Sequence, residues 1–327
     1  MIFPSKLKRN DEMRIISPAM SLSIISESVR EIANRRFEEI GLKISFSEHS
    51  EESDEVKSSS IESRIEDFHE AFKNPSVKIV MTTIGGFNSN QLLPILDYEL
   101  IKNNPKIICG YSDITALSNA IYAKTGLVTY SGPSYSSFGE EIGFEYTLEY
   151  FKKCLFNEEP FEIVRSLAWS NDKWYMNQKD RNFTKNEGLW ILNEGEARGI
   201  IVGGNLCTLN LLQGTEFMPE LDGTILFLED DASTNANLFD RDLESLTQLP
   251  KFGGVRGIVF GRFENESKMS RKNLERIISG KKKLNNIPII GNADFGHIEP
   301  KVTFPIGGIA EIKAKKMGIA SIRIIEH

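Results

Sequence analysis

Over the first 130 residues the chain alternates between two hydrophobic periods, and this constrains its fold more than any other feature. MRIISPA (Met13 to Ala19) reads as a buried strand ending in a turn. Ile25, Val29, Ile32, Arg36 and Ile40 then fall on one helix face with Phe37 beside them, and Gly41 stands where a helix ends in a left-handed residue. KISF (Lys43 to Phe46) is a second strand. The acidic, serine-rich stretch Ser47 to Ser60 is expected as an exposed loop. Ile65, Phe68 and Phe72 mark another helix face. VKIVMTTIGG (Val77 to Gly86) is a third strand running into paired glycines, and Lys106 to Cys109 a fourth. After the bend GYSD, Ile114, Leu117 and Ile121 recur at helical spacing. Strands alternating with helices predict an α/β fold, with a parallel sheet covered on both faces. Ligands on such sheets bind at the carboxyl ends of the strands, where Gly85, Gly86 and Ser112 would stand.

The pattern changes near Phe151. Residues 157–187 are polar and aromatic, with Trp169, Trp174 and Tyr175, and read as a connector or covering loop. From Gly188 short β-type runs dominate: ARGIIVGG, GTILFLED, VRGIVFG, IPIIGNADFG, VTFPIGGIAEI and ASIRIIEH. Helical stretches around Leu238 to Gln248 and Ser270 to Ile278 interrupt them. A chain of 327 residues favours two domains. The expected division is a parallel-sheet domain over 1–150, a connector over 151–187, and a mixed or barrel-like β domain with helices over 188–327.

A net charge of −7 argues against a nucleic-acid partner, which calls for a basic stripe. Lys281 to Lys283, the one dense basic run, is expected as a solvated turn. The opening MIFPSKLKRNDEMRI lacks the apolar core of a secretory signal, and no apolar run approaches a membrane span, so no membrane partner is expected. Cys109, Cys154 and Cys207 are scattered and odd in number. They fit a reducing compartment, most simply the cytoplasm, and lack zinc-site spacing. The four histidines are far apart in sequence, so no histidine-rich metal site is expected.

Ser112 lies on a strand–turn–helix bend that keeps the general geometry of a nucleophile elbow. The sequence there is G-Y-S-D-I, without the final glycine of G-x-S-x-G. Ser112 or Asp113 could equally be a helix N-cap. Gly85 and Gly86 could offer oxyanion-hole N–H groups, cradle a phosphate, or simply make a tight turn; neither G-x-G-x-x-G nor the Walker pattern is present. A serine nucleophile needs a base. His49 lies in the acidic loop, His69 on a helix and His327 at the last position, which leaves His297 in NADFGHIEPKVTFPIGG or a purely structural histidine there. For an orienting acid, Glu229, Asp230 and Asp231 stand at the end of an apolar run in GTILFLEDDAS; the same trio could hold a metal or form an exposed turn.

Five motifs in this order, IGGFNSNQLLPILDY, GYSDITAL, ARGIIVGGNLCTL, GTILFLEDD and GNADFGHIEPKVTFPIG, resemble the LD-carboxypeptidase family of serine peptidases, and most closely its microcin C self-immunity branch. The resemblance covers nearly the whole chain. It implies a Rossmann-like N-terminal domain carrying nucleophile Ser112, and a C-terminal domain carrying Glu229 and His297 of a Ser-Glu-His triad. It also implies an oxyanion hole from the N–H groups of Gly86 and Asp113, a homodimer, and no metal or organic cofactor. The substrate would be a small peptide or an aminoacyl-nucleotide. In the immunity branch the amide joins an aspartyl carboxyl to a modified nucleotide; in the alternative, D-alanine is released from a murein tetrapeptide. Gly85, Asn205, Trp169, Trp174 and Trp190 are candidate substrate contacts, the tryptophans as a platform for a base. Arg241, Arg262 and Lys301 are candidate sources of charge for a phosphate.

Overall fold

In a computed structural model that describes residues 1–315 and 318–327, two large sheets meet about one helix, and a small two-stranded sheet stands apart from them. The strands are β1 (Glu12–Ile16), β2 (Lys43–Phe46), β3 (Val77–Thr82), β4 (Ile107–Gly110), β5 (Thr129–Ser131), β6 (Phe161–Glu162), β7 (Ala168–Trp169), β8 (Thr184–Lys185), β9 (Trp190–Asn193), β10 (Gly195–Asn205), β11 (Thr224–Glu229), β12 (Gly257–Gly261), β13 (Ile289–Ala293), β14 (Phe304–Ile306), β15 (Ile309–Lys315) and β16 (Ile319–Glu326). The helices are α1 (Glu27–Glu39), α2 (Ile61–Lys73), α3 (Tyr98–Asn103), α4 (Ile114–Thr125), α5 (Glu145–Phe156), α6 (Leu206–Asn210), α7 (Ala236–Thr247) and α8 (Arg271–Ser279).

The first sheet has the order β14-β5-β4-β3-β1-β2. Its five strands from the first half of the chain pair in parallel, and β14 adds antiparallel to β5. The apolar runs seen in the sequence become these strands because both faces are covered: Ile79, Val80 and Met81 are all buried. The second sheet, β6-β16-β15-β10-β11-β12-β13-β9, is mixed, with a parallel centre from β10 to β13 and antiparallel flanks. The run VTFPIGGIAEI therefore splits: β14 joins the first sheet and β15 the second.

Helix α4 is buried on every side from Ile114 to Ile121, so its outer face serves a second partner, β10 of the other sheet. Asn119 on α4 makes paired hydrogen bonds to the Gly203 backbone, donating to its carbonyl at 2.7 Å and accepting from its N–H at 3.2 Å. Thr115 Oγ1 accepts from Asn205 N at 3.0 Å. A Cβ on Gly204, whose φ is +118°, would lie 2.4 Å from Thr115 Oγ1, so only glycine permits this approach.

Two expectations need correction. Residues 51–57 are exposed, but Ser47, Ser50 and Ser58 in the same loop are buried. The loop is stitched to the 17–22 segment: Ser17 Oγ and Leu22 N both donate to Ser50 O, and Ser58 Oγ donates to Ala19 O. In the lysine run, Lys281 is buried against the carboxylates of Asp240 and Glu244, and Lys283 donates to Thr247 O. Among the described residues no helix is long and apolar enough to cross a membrane.

Candidate active site

Ser112 stands between β4 and α4 with φ +64°, a left-handed conformation that costs a non-glycine residue roughly 1–2 kcal/mol. The turn throws its hydroxyl clear of both elements. Gly85 makes room for it, since a Cβ there would lie 2.8 Å from Ser112 Cβ and 2.9 Å from Oγ. Asp113 is the N-cap residue of α4, as one reading of this turn allowed, but the capping hydrogen bond is missing. Its carboxylate Oδ2 instead accepts from Asn88 N at 3.1 Å and Ser89 N at 2.9 Å.

Ser112 Oγ is 2.9 Å from His297 Nε2, and His297 Nδ1 is 2.7 Å from Glu229 Oε2. Glu229 is the last residue of β11 and lies opposite Asn205, the last of β10, so the α4–β10 contact also sets the distance from Ser112 to Glu229. Gly296, with φ +116°, lets the chain pass Glu229; a Cβ there would meet Oε2 at 3.0 Å. Burial alone would lower the His297 pKa. The charge and hydrogen bond of Glu229 override it, helped by Asp231 and Glu264, and the imidazole is raised to about 9.

The acidic trio divides its work. Glu229 meets His297. Asp230 is buried, accepts from Asn205 Nδ2 at 3.2 Å, and is pushed up to about 7 by burial and by the Glu229 charge. Asp231 accepts from Ser233 in a turn. Asn205 also caps α6 by accepting from Thr208 N, so its amide is engaged on both sides.

The tryptophans separate. Trp169 and Trp190 line one cavity of about 270 Å³ with Lys185, Arg262, Phe263 and Asn292. Arg262 Cζ lies 5.0 Å over the Trp169 ring, and the guanidinium pairs with Asp294 at 2.8 Å. Ser112, Glu229 and His297 do not line this cavity; the link to them runs through Gly296, where a built Cβ would lie 3.1 Å from the Arg262 carbonyl and 3.0 Å from Glu229 Oε2. Trp174 is buried in the core, packed edge-on against Tyr175, and is not among the residues lining this cavity. Lys301 pairs with Glu299 and lies 4.9 Å over the Tyr111 ring, while Arg241 pairs with Asp242 at the surface.

Sequence reasoning did not single out Tyr111, whose ring centre is 5.3 Å from that of His297, or Glu264, which adds to the field on the imidazole. Tyr111 precedes Ser112, which was a usable signal. Glu264 carried none.

The chain matches the LD-carboxypeptidase N-terminal domain over residues 13–132 and the LD-carboxypeptidase C-terminal domain over residues 198–312. It is 52% identical to the putative carboxypeptidase YocD of Bacillus subtilis over 100% of both chains. It is 36% identical to the microcin C7 self-immunity protein MccF of Escherichia coli, covering 82% of this chain and 80% of MccF. Its structure superposes on an MccF-like protein from Bacillus anthracis with TM-score 0.99 and 53% identity over 100% of both chains. The TM-score to MccF in complex with aspartyl sulfamoyl adenosine is 0.90, at 32% identity, covering 100% of this chain and 99% of that one.

Proposed function

The chain belongs to the LD-carboxypeptidase family and is an amide-bond hydrolase, and from that premise we propose that it works through a Ser112–His297–Glu229 triad on an aminoacyl-nucleotide, as a self-immunity type enzyme. The single observation that carries the catalytic part is the unbroken relay from Ser112 Oγ to His297 Nε2 and from His297 Nδ1 to Glu229 Oε2, at 2.9 and 2.7 Å.

In this reading neutral His297 takes the Ser112 proton as Oγ attacks the amide carbonyl. Glu229 accepts the Nδ1–H and stabilises the imidazolium that forms. The oxyanion meets the N–H groups of Asp113 and Gly86, neither of which donates to a protein acceptor among the described residues. His297 then protonates the leaving nitrogen, and water releases the acyl group from Ser112.

The nucleotide part rests on the cavity lined by Trp169 and Trp190. Two indole rings, Arg262 and Lys185 there suit a base and an anionic linker. MccF itself has been seen with aspartyl sulfamoyl adenosine. Residues 1–150 would then be the nucleophile domain, 151–187 a connector contributing Trp169, and 188–327 the domain carrying acid and base. The family likeness adds a cytoplasmic homodimer, to be checked by light scattering and cell fractionation.

The test is mass-spectrometric. Parent protein and Ser112→Ala each meet aspartyl sulfamoyl adenosine and a murein tetrapeptide ending in D-alanine. Ser112-dependent cleavage of the nucleoside alone is expected. Cleavage of the tetrapeptide alone moves the enzyme to murein recycling, and activity in Ser112→Ala removes the triad.

A further inference from the structure

Gly86 has no side chain, and the Phe87 ring is 84% exposed. The position of the Gly86 N–H therefore depends on what holds the backbone on either side. Upstream, the Gly85 carbonyl accepts from Met20 N at 3.2 Å, and a Cβ built on Gly86 would meet Ala19 Cβ at 2.9 Å and Met20 Cγ at 3.0 Å. Downstream, two buried, oppositely charged side chains hold the backbone on either side of the Asn88 Cα. Its N–H donates to Asp113 Oδ2 at 3.1 Å, and its carbonyl accepts from Arg64 Nη1 at 3.2 Å.

Asp113 and Arg64 are each 3% exposed. The same Asp113 oxygen takes the Ser89 N–H at 2.9 Å, and Ser89 Oγ donates back to the Asp113 carbonyl at 2.8 Å. Arg64 also donates to Pro18 O, behind the glycine loop, and to Gln91 Oε1. A carboxylate turned away from its own helix to bind a segment 24 and 25 residues distant is not serving that helix. Charge-assisted bonds to buried N–H groups are about twice as strong as neutral ones.

We propose that Asp113 and Arg64 are positioning residues, a clamp on the backbone at Asn88 that holds the Gly86 N–H in register with the Asp113 N–H across the Ser112 hydroxyl. The inference rests on the Ser112 reading above. It adds two side chains that touch neither nucleophile nor substrate and on which turnover depends. The arrangement couples the two donors: the residue that offers one N–H anchors, through its carboxylate, the loop that offers the other. Burial raises the Asp113 pKa, while the Ser89 and Asn88 N–H groups and the Arg64 charge oppose that rise and favour the carboxylate.

The test uses an alkyl fluorophosphonate, which needs no natural substrate. Ser112 Oγ bonds to phosphorus, fluoride leaves, and the serine proton passes to His297. The phosphoryl oxygen gains negative charge in the hole as this happens. Asp113→Asn keeps the shape and removes the charge; Ser89→Ala removes the second tie and is the milder change should the first variant fail to fold. Both are compared with the parent and with Ser112→Ala, well below their melting temperatures.

The expected result for Asp113→Asn is a fall in kinact of about 10- to 100-fold with KI within about threefold. Ser89→Ala should lose about three- to tenfold in the same direction, less than a full donor is worth. Unchanged kinact per folded molecule, with Ser112→Ala unlabelled, overturns the clamp and leaves the Ser112 reading standing. A lower melting temperature alone, with both constants intact, also overturns it. Labelling that persists in Ser112→Ala removes the reading and the clamp together.

Discussion

Ser112 Oγ and His297 Nε2 lie 2.9 Å apart although 185 positions separate them in sequence. One comes from the turn after β4 and the other from the segment between β13 and β14. The pair forms because α4 docks on β10 and β14 returns to the first sheet.

The imidazole raised to about 9 makes the first expectation a pH profile. A base must be neutral to act, so kcat/KM should rise with pH along an acid limb well above the ordinary 6.5. Glu229→Gln removes the largest raising influence. The limb should fall by about a unit or more, and kcat by about 100-fold or more, since the imidazolium loses its partner. For stability the sign follows from a raised folded-state pKa. Glu229 stabilises the fold fully below about 6.5, and that contribution is lost as pH rises through about 9. Urea unfolding should therefore show a larger deficit for Glu229→Gln at pH 6 than at pH 10. Equal deficits would mean that the pair is not what holds the imidazole up.

Gly85→Ala tests the space in front of the Ser112 hydroxyl. The new Cβ would sit 2.8 Å from Ser112 Cβ, and Ser112 must move to accommodate it. Misplacing a reacting group by about 1 Å costs on the order of 100-fold in rate. Turnover should fall by that order while the circular dichroism spectrum stays that of the parent. Full activity would show that the hydroxyl can shift without consequence.

Trp169→Ala addresses the cavity. Stacking on an aromatic ring is worth about 1–3 kcal/mol per base, so KM for aspartyl sulfamoyl adenosine should rise about tenfold with kcat little changed. Labelling of Ser112 by a fluorophosphonate, which carries no base, should keep its rate. Equal losses with both reagents would make Trp169 a packing residue.

Arg181→Met tests how the connector is tied down. Arg181 pairs with Glu140 at 2.6 Å and Asp172 at 2.8 Å, all but Asp172 deeply buried. Breaking a buried pair from one side costs about 3–5 kcal/mol. Burial and the nearby Glu299 charge already raise the Glu140 carboxyl to about 8. Below that pH the acid can stay protonated, so the deficit in denaturant should be smaller at pH 6 than at pH 9. A deficit that does not change with pH would mean that Glu140 is not the group left stranded.

Much of this molecule could be read before its structure. Strands β1, β3 and β4 and helices α1 and α2 follow from local apolar period, because a sheet covered on both faces needs apolar strands and its helices need one apolar stripe; the sequence also marked β2 and α4, but not that β2 is a half-exposed edge or that α4 is buried on every side. The residues of the proposed triad were also legible, each at the end of a β-type run beside turn chemistry. The jobs of the acidic residues were not. Nothing local tells that Glu229 turns to a histidine, Asp230 to Asn205 and Asp113 to the Asn88 and Ser89 amides.

What the sequence by itself determined is the alternation of elements and the few residues whose chemistry suits acyl transfer, since both depend on side chains a few positions apart. Only the tertiary structure decided which of those residues meet. The contacts that do this, Asn119 on Gly203, Thr115 on Asn205 and β14 on β5, join segments about 84, 90 and 175 residues apart. Such contacts form only when two separately patterned sheets present complementary surfaces, and no local period records that complementarity.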